Sequence, residues 1–228
     1  MPRLTLSLTL CAVALLSAVL PAATTSASSS RPAPMRVALM IDDGPDAAQA
    51  GEMHALFARE NIRVTFAHVG QNIRKHPHLS RAAAAAGHEL VNHSYTHPHF
   101  LQLDDAAIHR EVAETSAAIK EASGQAPRWF WAPYGDWDQR IEAAVRGAGL
   151  EHVPWGGFRF ISTEDWNRET DAATIRRRAT SGVQDKTLIL FHEWREETLA
   201  ELPAIIAELK RQGCVFITVS ELVAAARP

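Results

Sequence analysis

The chain is poor in cysteine, in excess charge of either sign and in long apolar runs, and each shortage narrows what it does. Of its 228 residues only two are cysteine, and Cys11 falls inside an N-terminal apolar stretch. Cys214, in "CVFITVS", would then be alone, a small buried hydrophobe with no partner for an internal disulfide. The formal net charge is −3, which offers no general attraction to nucleic acid. Beyond the N-terminus no run is long and apolar enough to span a bilayer. What remains, 46% hydrophobic and 21% charged residues, fits a globular domain with a sizeable core.

The N-terminus differs in kind. "MPRLTLSLTLCAVALLSAVLPAATTSASSS" has one basic residue, Arg3, then an apolar run from Leu4 to Leu20, then small residues. That layout reads as a signal peptide over residues 1–27, cleaved between Ala23 and Ala27, with a flexible lead-in over 28–35. The competing reading is an uncleaved anchor, because the run is near the shortest that spans a membrane. The expectation is an exported protein, periplasmic or secreted, with no stable membrane insertion after cleavage and a catalytic domain over residues 36–225.

From Met35 onward strand-like and helix-like segments alternate. Apolar runs stand at "RVALMI", "IRVTFAHV", "HELVNH", "RWFWA", "LEHVPW", "TLILFH" and "CVFITV". Amphipathic stretches lie between most of them, at residues 47–60, 73–86, 104–122, 138–146, 172–180 and 197–212. Asp104 or Asp105 is placed as an N-cap, and Gly213 follows basic residues as a helix stop. The alternation predicts an α/β domain with a parallel sheet, doubly wound or barrel, whose function gathers at the carboxyl ends of the strands.

Polar residues collect at those ends. Asp42 and Asp43 follow "ALMI", His93 and His97 follow "HELV", "APYGD" follows "RWFW", and His192 follows "TLILF". Adjacent aspartates on a strand point to opposite faces, and a solvated turn is the plain explanation of "DDGPD" taken alone. Four strand ends of this kind favour a site instead. On a helical turn, His93 and His97 would share one face and a metal; two imidazoles and one carboxylate form a set that catalytic zinc sites use. Surface histidines are the commoner source of such spacing.

"IDDGPD", "HELVNHSYTH", "FWAPYGDWD", "TEDW" and "LILFH" occur in the order of the five motifs of the polysaccharide deacetylase family, also called the NodB-homology domain or carbohydrate esterase family 4. The chain resembles that family from about Arg36 to Val219. The resemblance implies a distorted (β/α) barrel of about seven parallel strands and hydrolysis of acetyl groups on glycans such as chitin or peptidoglycan. It implies a divalent metal, zinc first, with cobalt, nickel or manganese as alternatives. Carried over by motif, Asp43, His93 and His97 are ligands, Asp42 the general base and His192 the general acid. Asp165 would orient that histidine, and the Tyr134 N–H would donate to the oxyanion from a turn set by Pro133 and Gly135. Leu190 and Trp166 would shape the acetyl pocket.

One position departs from the pattern. The third motif ordinarily begins with an arginine that pairs with the base, and here Trp131 stands there. Its N–H still donates a hydrogen bond but brings no charge. Arg128 is expected to point to the other face, which leaves Arg159 as the candidate replacement. His54, His76, His78, His109 and His152 read as surface or helix residues, His88 as part of a strand, and His68 and His99 as cleft candidates. Trp129, Trp137, Trp155 and Trp194 are candidates to stack on sugar rings, Trp194 foremost because it neighbours His192. Two other functions compete: hydrolysis of a non-glycan amide or formamide, and glycan binding without catalysis.

Overall fold

A computed structural model describes residues 1–2 and 33–226. The expected signal peptide and most of its lead-in, residues 3–32, lie outside the described residues. No helix among the described residues is long and apolar enough to cross a membrane.

The chain alternates strand and helix: β1 (Met35–Gly44), α1 (Ala50–Glu60), β2 (Thr65–His68), α2 (Gly70–Lys75), α3 (Pro77–Ala85), β3 (Glu89–Asn92), α4 (Asp105–Ser123) and β4 (Trp129–Phe130). It continues through α5 (Gln139–Gly147), β5 (Glu151–His152), β6 (Arg159–Ser162), α6 (Ala172–Thr180), β7 (Thr187–His192), α7 (Glu196–Arg211), β8 (Cys214–Ile217) and α8 (Val219–Ala226). The strand order is β5-β4-β3-β2-β1-β7-β6, with β8 paired to the start of β1, and every ladder is parallel. Among the described residues no ladder joins β5 to β6, so the sheet is an open, distorted barrel, as the motif resemblance implied.

Three differences from the sequence reading have local causes. The stretch 73–86 is two helices, because Pro77 starts α3 and disfavours helical backbone at His76. "LEHVPW" contributes only the two residues of β5. β6, "RFIS", went unassigned because it is short and has polar residues at both ends. Asp104, not Asp105, caps α4, accepting from Ala107 N–H at 2.7 Å.

β1 divides the core. Val37, Leu39 and Ile41 pack with the outer helices, while Ala38 and Met40 pack with Trp129, Trp131, Val153 and Leu188 inside the barrel. Period-two alternation then carries Asp42 onto the inner face, toward Trp131.

Candidate active site

The two aspartates do not diverge, because β1 bulges between them. Asp42 pairs with Ala67 and Gly44 with His68, so Asp43 is the extra residue, in the left-handed region at φ 70°. The bulge turns Asp43 into the space that Asp42 already faces. The turn then closes through a cis Gly44–Pro45 peptide.

His93 and His97 follow β3 on a loop, not on the helical turn that their spacing suggested. Ser94 and His97 have φ of 63° and 60°. Side chains hold the loop: Ser94 N–H donates to Asn92 Oδ1, His97 N–H to Ser94 Oγ, and the N–H groups of Tyr95 and Thr96 both donate to Glu111 Oε2 on α4. The result still places both imidazoles on Asp43 Oδ1, His93 Nε2 at 3.3 Å and His97 Nε2 at 3.1 Å.

These three residues fit a metal ion. Their ligand atoms lie within 4.8 Å of one another. Asp43 Oδ1 is buried and makes no hydrogen bond, while Oδ2 accepts from Trp194 Nε1 at 2.9 Å. His93 Nδ1 lies 2.7 Å from the Trp131 carbonyl; a proton there leaves the Nε2 lone pair facing Asp43. Burial pushes the Asp43 carboxyl up, but the close His93 and His97 imidazoles and the charges of His93 and His192 outweigh it and hold the group well below the usual range. An anionic oxygen beside two imidazole lone pairs calls for a cation.

Asp42 is almost fully buried. Trp131 Nε1 donates to its Oδ2 at 2.7 Å, and Oδ1 has no hydrogen-bond partner. Burial lifts the Asp42 carboxyl to about 6, against the charges of His93 and His192; Asp43 raises it further, and the indole N–H opposes. Trp131 itself therefore occupies the place where an arginine was expected. Arg159 does not replace it. On β6 Phe160 and Ser162 line the cleft, so Arg159 faces the other way, into a shallow hollow with Asp185 and Lys186.

Opposite the ligand loop stands His192. Asp165 Oδ1 lies 2.7 Å from its Nδ1, and Oδ2 accepts from the His192 N–H at 2.8 Å and from Thr198 Oγ at 2.6 Å. Burial lowers the His192 pKa, but the Asp165 hydrogen bond and the charges of Asp42, Asp165 and Asp43 prevail and raise it to about 9.

A cleft of about 700 Å³ joins these groups and is lined by Asp42, Asp43, His93, His97 and His192. Its walls are mostly apolar and include Trp131, Tyr134, Trp166, Leu190 and Trp194. Pro133 is buried behind the wall, where it starts the turn that puts Tyr134 at φ 57°. His68 ends β2 but does not line the cleft: it is fully buried, with Ser80 Oγ 3.0 Å from Nδ1 and Glu193 Oε2 3.5 Å from Nε2. His99 reaches the rim, stacked on Tyr134 at 3.8 Å. His152 is half-buried among Trp131, Trp137 and Trp155 rather than at the surface.

Known proteins resemble this chain in sequence and fold. The family model described as polysaccharide deacetylase matches residues 29–153. The chain belongs to the polysaccharide deacetylase family. It is 31% identical over 189 residues to the chitooligosaccharide deacetylase of Rhizobium leguminosarum bv. trifolii, covering 77% of this chain and 86% of that protein. It is 27% identical over 187 residues to the peptidoglycan-N-acetylglucosamine deacetylase of Listeria monocytogenes serotype 1/2a, covering 82% of this chain. The chain spans only 38% of that relative's length. A family 4 carbohydrate esterase from Streptomyces lividans, solved in complex with acetate, superimposes with a TM-score of 0.73 at 31% identity, covering 80% of this chain and 91% of that one. Against this deacetylase family's motif order, sequence reasoning missed Glu111, which holds the His93–His97 loop, and Thr198, which fixes Asp165.

Proposed function

We propose that the protein is a metal-dependent hydrolase that removes acetyl groups, N-acetyl foremost, from an oligosaccharide or polysaccharide of the chitin or peptidoglycan-glycan type. One observation carries the reading. A ligand set, a buried carboxylate with a free oxygen and a carboxylate-held imidazole meet in one aromatic cleft. The names of the relatives support the substrate class. No lysine or arginine is among the residues lining the cleft, which suits a neutral acetylated sugar.

Asp43, His93 and His97 would hold the ion, zinc first, with cobalt, nickel or manganese as alternatives. Such an ion, when bound, polarises the acetyl carbonyl and makes water a stronger nucleophile near neutral pH. Asp42 takes a proton from the attacking water on its free Oδ1, while the indole N–H of Trp131 fixes Oδ2. His192 protonates the departing amine nitrogen, and Asp165 orients and charges its ring. Water is consumed, and acetate and the free amine leave. The Tyr134 N–H offers an oxyanion donor, worth about 3 kcal/mol in such sites. Leu190, Trp166 and Trp131 enclose the methyl group, and Trp194 steadies Asp43. The Leu4–Leu20 run serves as an export signal, so the work is done in the periplasm or outside the cell.

The test is acetate release from acetylated chito-oligosaccharides and peptidoglycan glycan strands. Chelation should abolish it, re-added divalent metal should restore it, and Asp43→Ala or His97→Ala should remove it. Full turnover in metal-free protein would refute the reading. Trp131 in the arginine's place favours one alternative, a glycan-binding protein that does not turn over. Binding without acetate release under every divalent metal would decide for it, and release of formate or amine from small amides alone would decide for a non-glycan hydrolase.

A further inference from the structure

The turn that carries the oxyanion donor and the loop that carries the metal ligands follow different strands, and a side chain assigned to neither joins them. His99 stands two residues after His97, with only Pro98 between, whose ring limits rotation of the backbone there. Its imidazole lies nearly parallel to the Tyr134 ring, with centroids 3.8 Å apart and planes at 19°. On another side Tyr134 meets His97 edge-on at 4.7 Å, and His97 in turn meets His93 at 4.9 Å. One file of rings thus runs from His99 through Tyr134 to both imidazole ligands. His99 also has a polar anchor: Nδ1 lies 3.2 Å from Oδ2 of Asp136, which receives the Leu101 N–H at 3.4 Å as well. An imidazole with its proton on Nδ1 donates that bond whether or not the ring is charged. The turn needs such support. Two hydrogen bonds of its own close it, Gly135 N–H to the Ala132 carbonyl at 3.1 Å and Asp136 N–H to the Pro133 carbonyl at 3.0 Å. Yet Tyr134 sits at φ 57°, uncommon backbone for a residue with a side chain, and is 61% exposed.

We propose that His99 is a positioning residue: by stacking on Tyr134 and bridging to Asp136 it fixes the Pro133–Gly135 turn against the His93–His97 loop, so that oxyanion donor and ligand set keep one spacing. This role rests on the deacetylase reading of the cleft, in which the Tyr134 N–H meets the oxyanion. It adds that the donor is aimed from outside its own turn. Of the two contacts the stack matters more, because it bears on Tyr134 itself, while the bridge reaches only the residue after the turn. A displacement of about 1 Å between groups that act on one reacting carbonyl can cost about 10²-fold in rate.

Three variants of the zinc-loaded protein test this. His99→Ala removes both contacts, His99→Phe keeps the flat ring and loses the bridge, and His99→Asn keeps a polar group and loses the stack. On an acetylated chito-oligosaccharide, His99→Ala and His99→Asn should lower kcat by about tenfold or more with KM within about twofold, and His99→Phe should stay within about threefold of wild type. The ligand loop keeps its own support from Glu111. Zinc affinity, read by competition with a chromophoric chelator, should therefore change by no more than about twofold, well short of the loss expected when a ligand's own support is removed. The chain's two tyrosines, Tyr95 on the ligand loop and Tyr134, give a readout without turnover. With isotope-labelled tyrosine and NMR relaxation, the backbone order of the Tyr134 amide should fall in His99→Ala and His99→Asn and hold in His99→Phe, while Tyr95 is unchanged in all three. Unchanged kcat in His99→Ala, a loss of zinc affinity that matches the loss of kcat, or a His99→Phe variant as weak as His99→Ala would each overturn the role. Absence of acetate release by wild type, with Tyr134 order that depends on the ring at His99, would instead remove the catalytic reading and keep the brace.

Discussion

Two histidine–carboxylate pairs outside the ligand set, one at the rim of the cleft and one beneath its floor, are built differently. At the rim, His192 and Asp165 are 2.7 Å apart, and Asp165 is filled by two further donors, the His192 N–H and Thr198 Oγ. Beneath the floor, His68 and Glu193 are 3.5 Å apart and fully buried, and neither His68 Nε2 nor Glu193 Oε2 makes a hydrogen bond. Glu193 instead receives the Asp46 N–H at 3.2 Å and fills the space behind Gly44, where a Cβ would come within 1.7 Å of its Oε2. Residue types alone do not distinguish the pairs. What does is access, together with how completely the carboxylate is satisfied. Under the proposed mechanism the rim pair presents a proton to the cleft, while the buried pair supports the turn that carries Asp42 and Asp43.

Substitutions should split the two pairs by the quantity each one changes. The largest effect is expected at the rim. His192→Ala should lower kcat by about 10²–10⁴, the usual range for a lost general acid, with little change in urea-unfolding stability. An activity loss matched by a comparable loss of stability would assign His192 to the framework and erase the contrast.

Beneath the floor the order reverses. His68→Leu removes the imidazole from beside the buried Glu193 and Ser80 side chains, and a buried polar group left without a partner costs about 1–3 kcal/mol. Urea titration measures that directly. His68→Gln, which keeps a donor, should recover part of it. The surviving folded fraction should keep the wild-type pH profile, because no proton of the reaction passes through His68. A changed profile would mean that the two pairs are coupled.

The rim was legible in the sequence and the floor was not, for a physical reason. A strand that is apolar to its last residue and then ends in Asp or His announces a site, because burial leaves no other use for those groups at a sheet's carboxyl edge. Asp42, Asp43 and His192 were readable in that way. Their convergence was not, since the bulge at Asp43 depends on the register with β2. The His93–His97 loop misled because its shape comes from Glu111, more than a helical turn away in sequence, and from two left-handed residues. Glu193 left a weak signal. It stands between His192 and Trp194, both of which reach the cleft, so alternation alone sends it to the opposite side. Trp131 shows the limit of motif matching: a missing charge was visible, but that the indole itself would reach Asp42 required the inner-face register of β1 and β4.

The smallest and most discriminating effect is a shift in pH dependence. His192 must be protonated to serve as an acid, and its surroundings raise its pKa to about 9, so activity should fall as pH rises through the alkaline range. A cation on Asp43 offsets one of the charges that raise it, so the comparison belongs between variants carrying the same metal. Asp165→Asn removes the hydrogen-bonded charge and should move the alkaline limb of kcat/KM downward, toward the ordinary histidine value near 6.5. Stability carries the same sign in metal-free protein. A group whose folded pKa lies above its unfolded one stabilises fully below about 6.5 and loses that contribution as pH rises through about 9. Wild type should therefore lose stability across that window, and Asp165→Asn should lose less of it, whatever its absolute stability. If the variant's limb and its stability slope both match wild type, Asp165 only fills space behind His192, and the rim pair is no different in kind from the buried one.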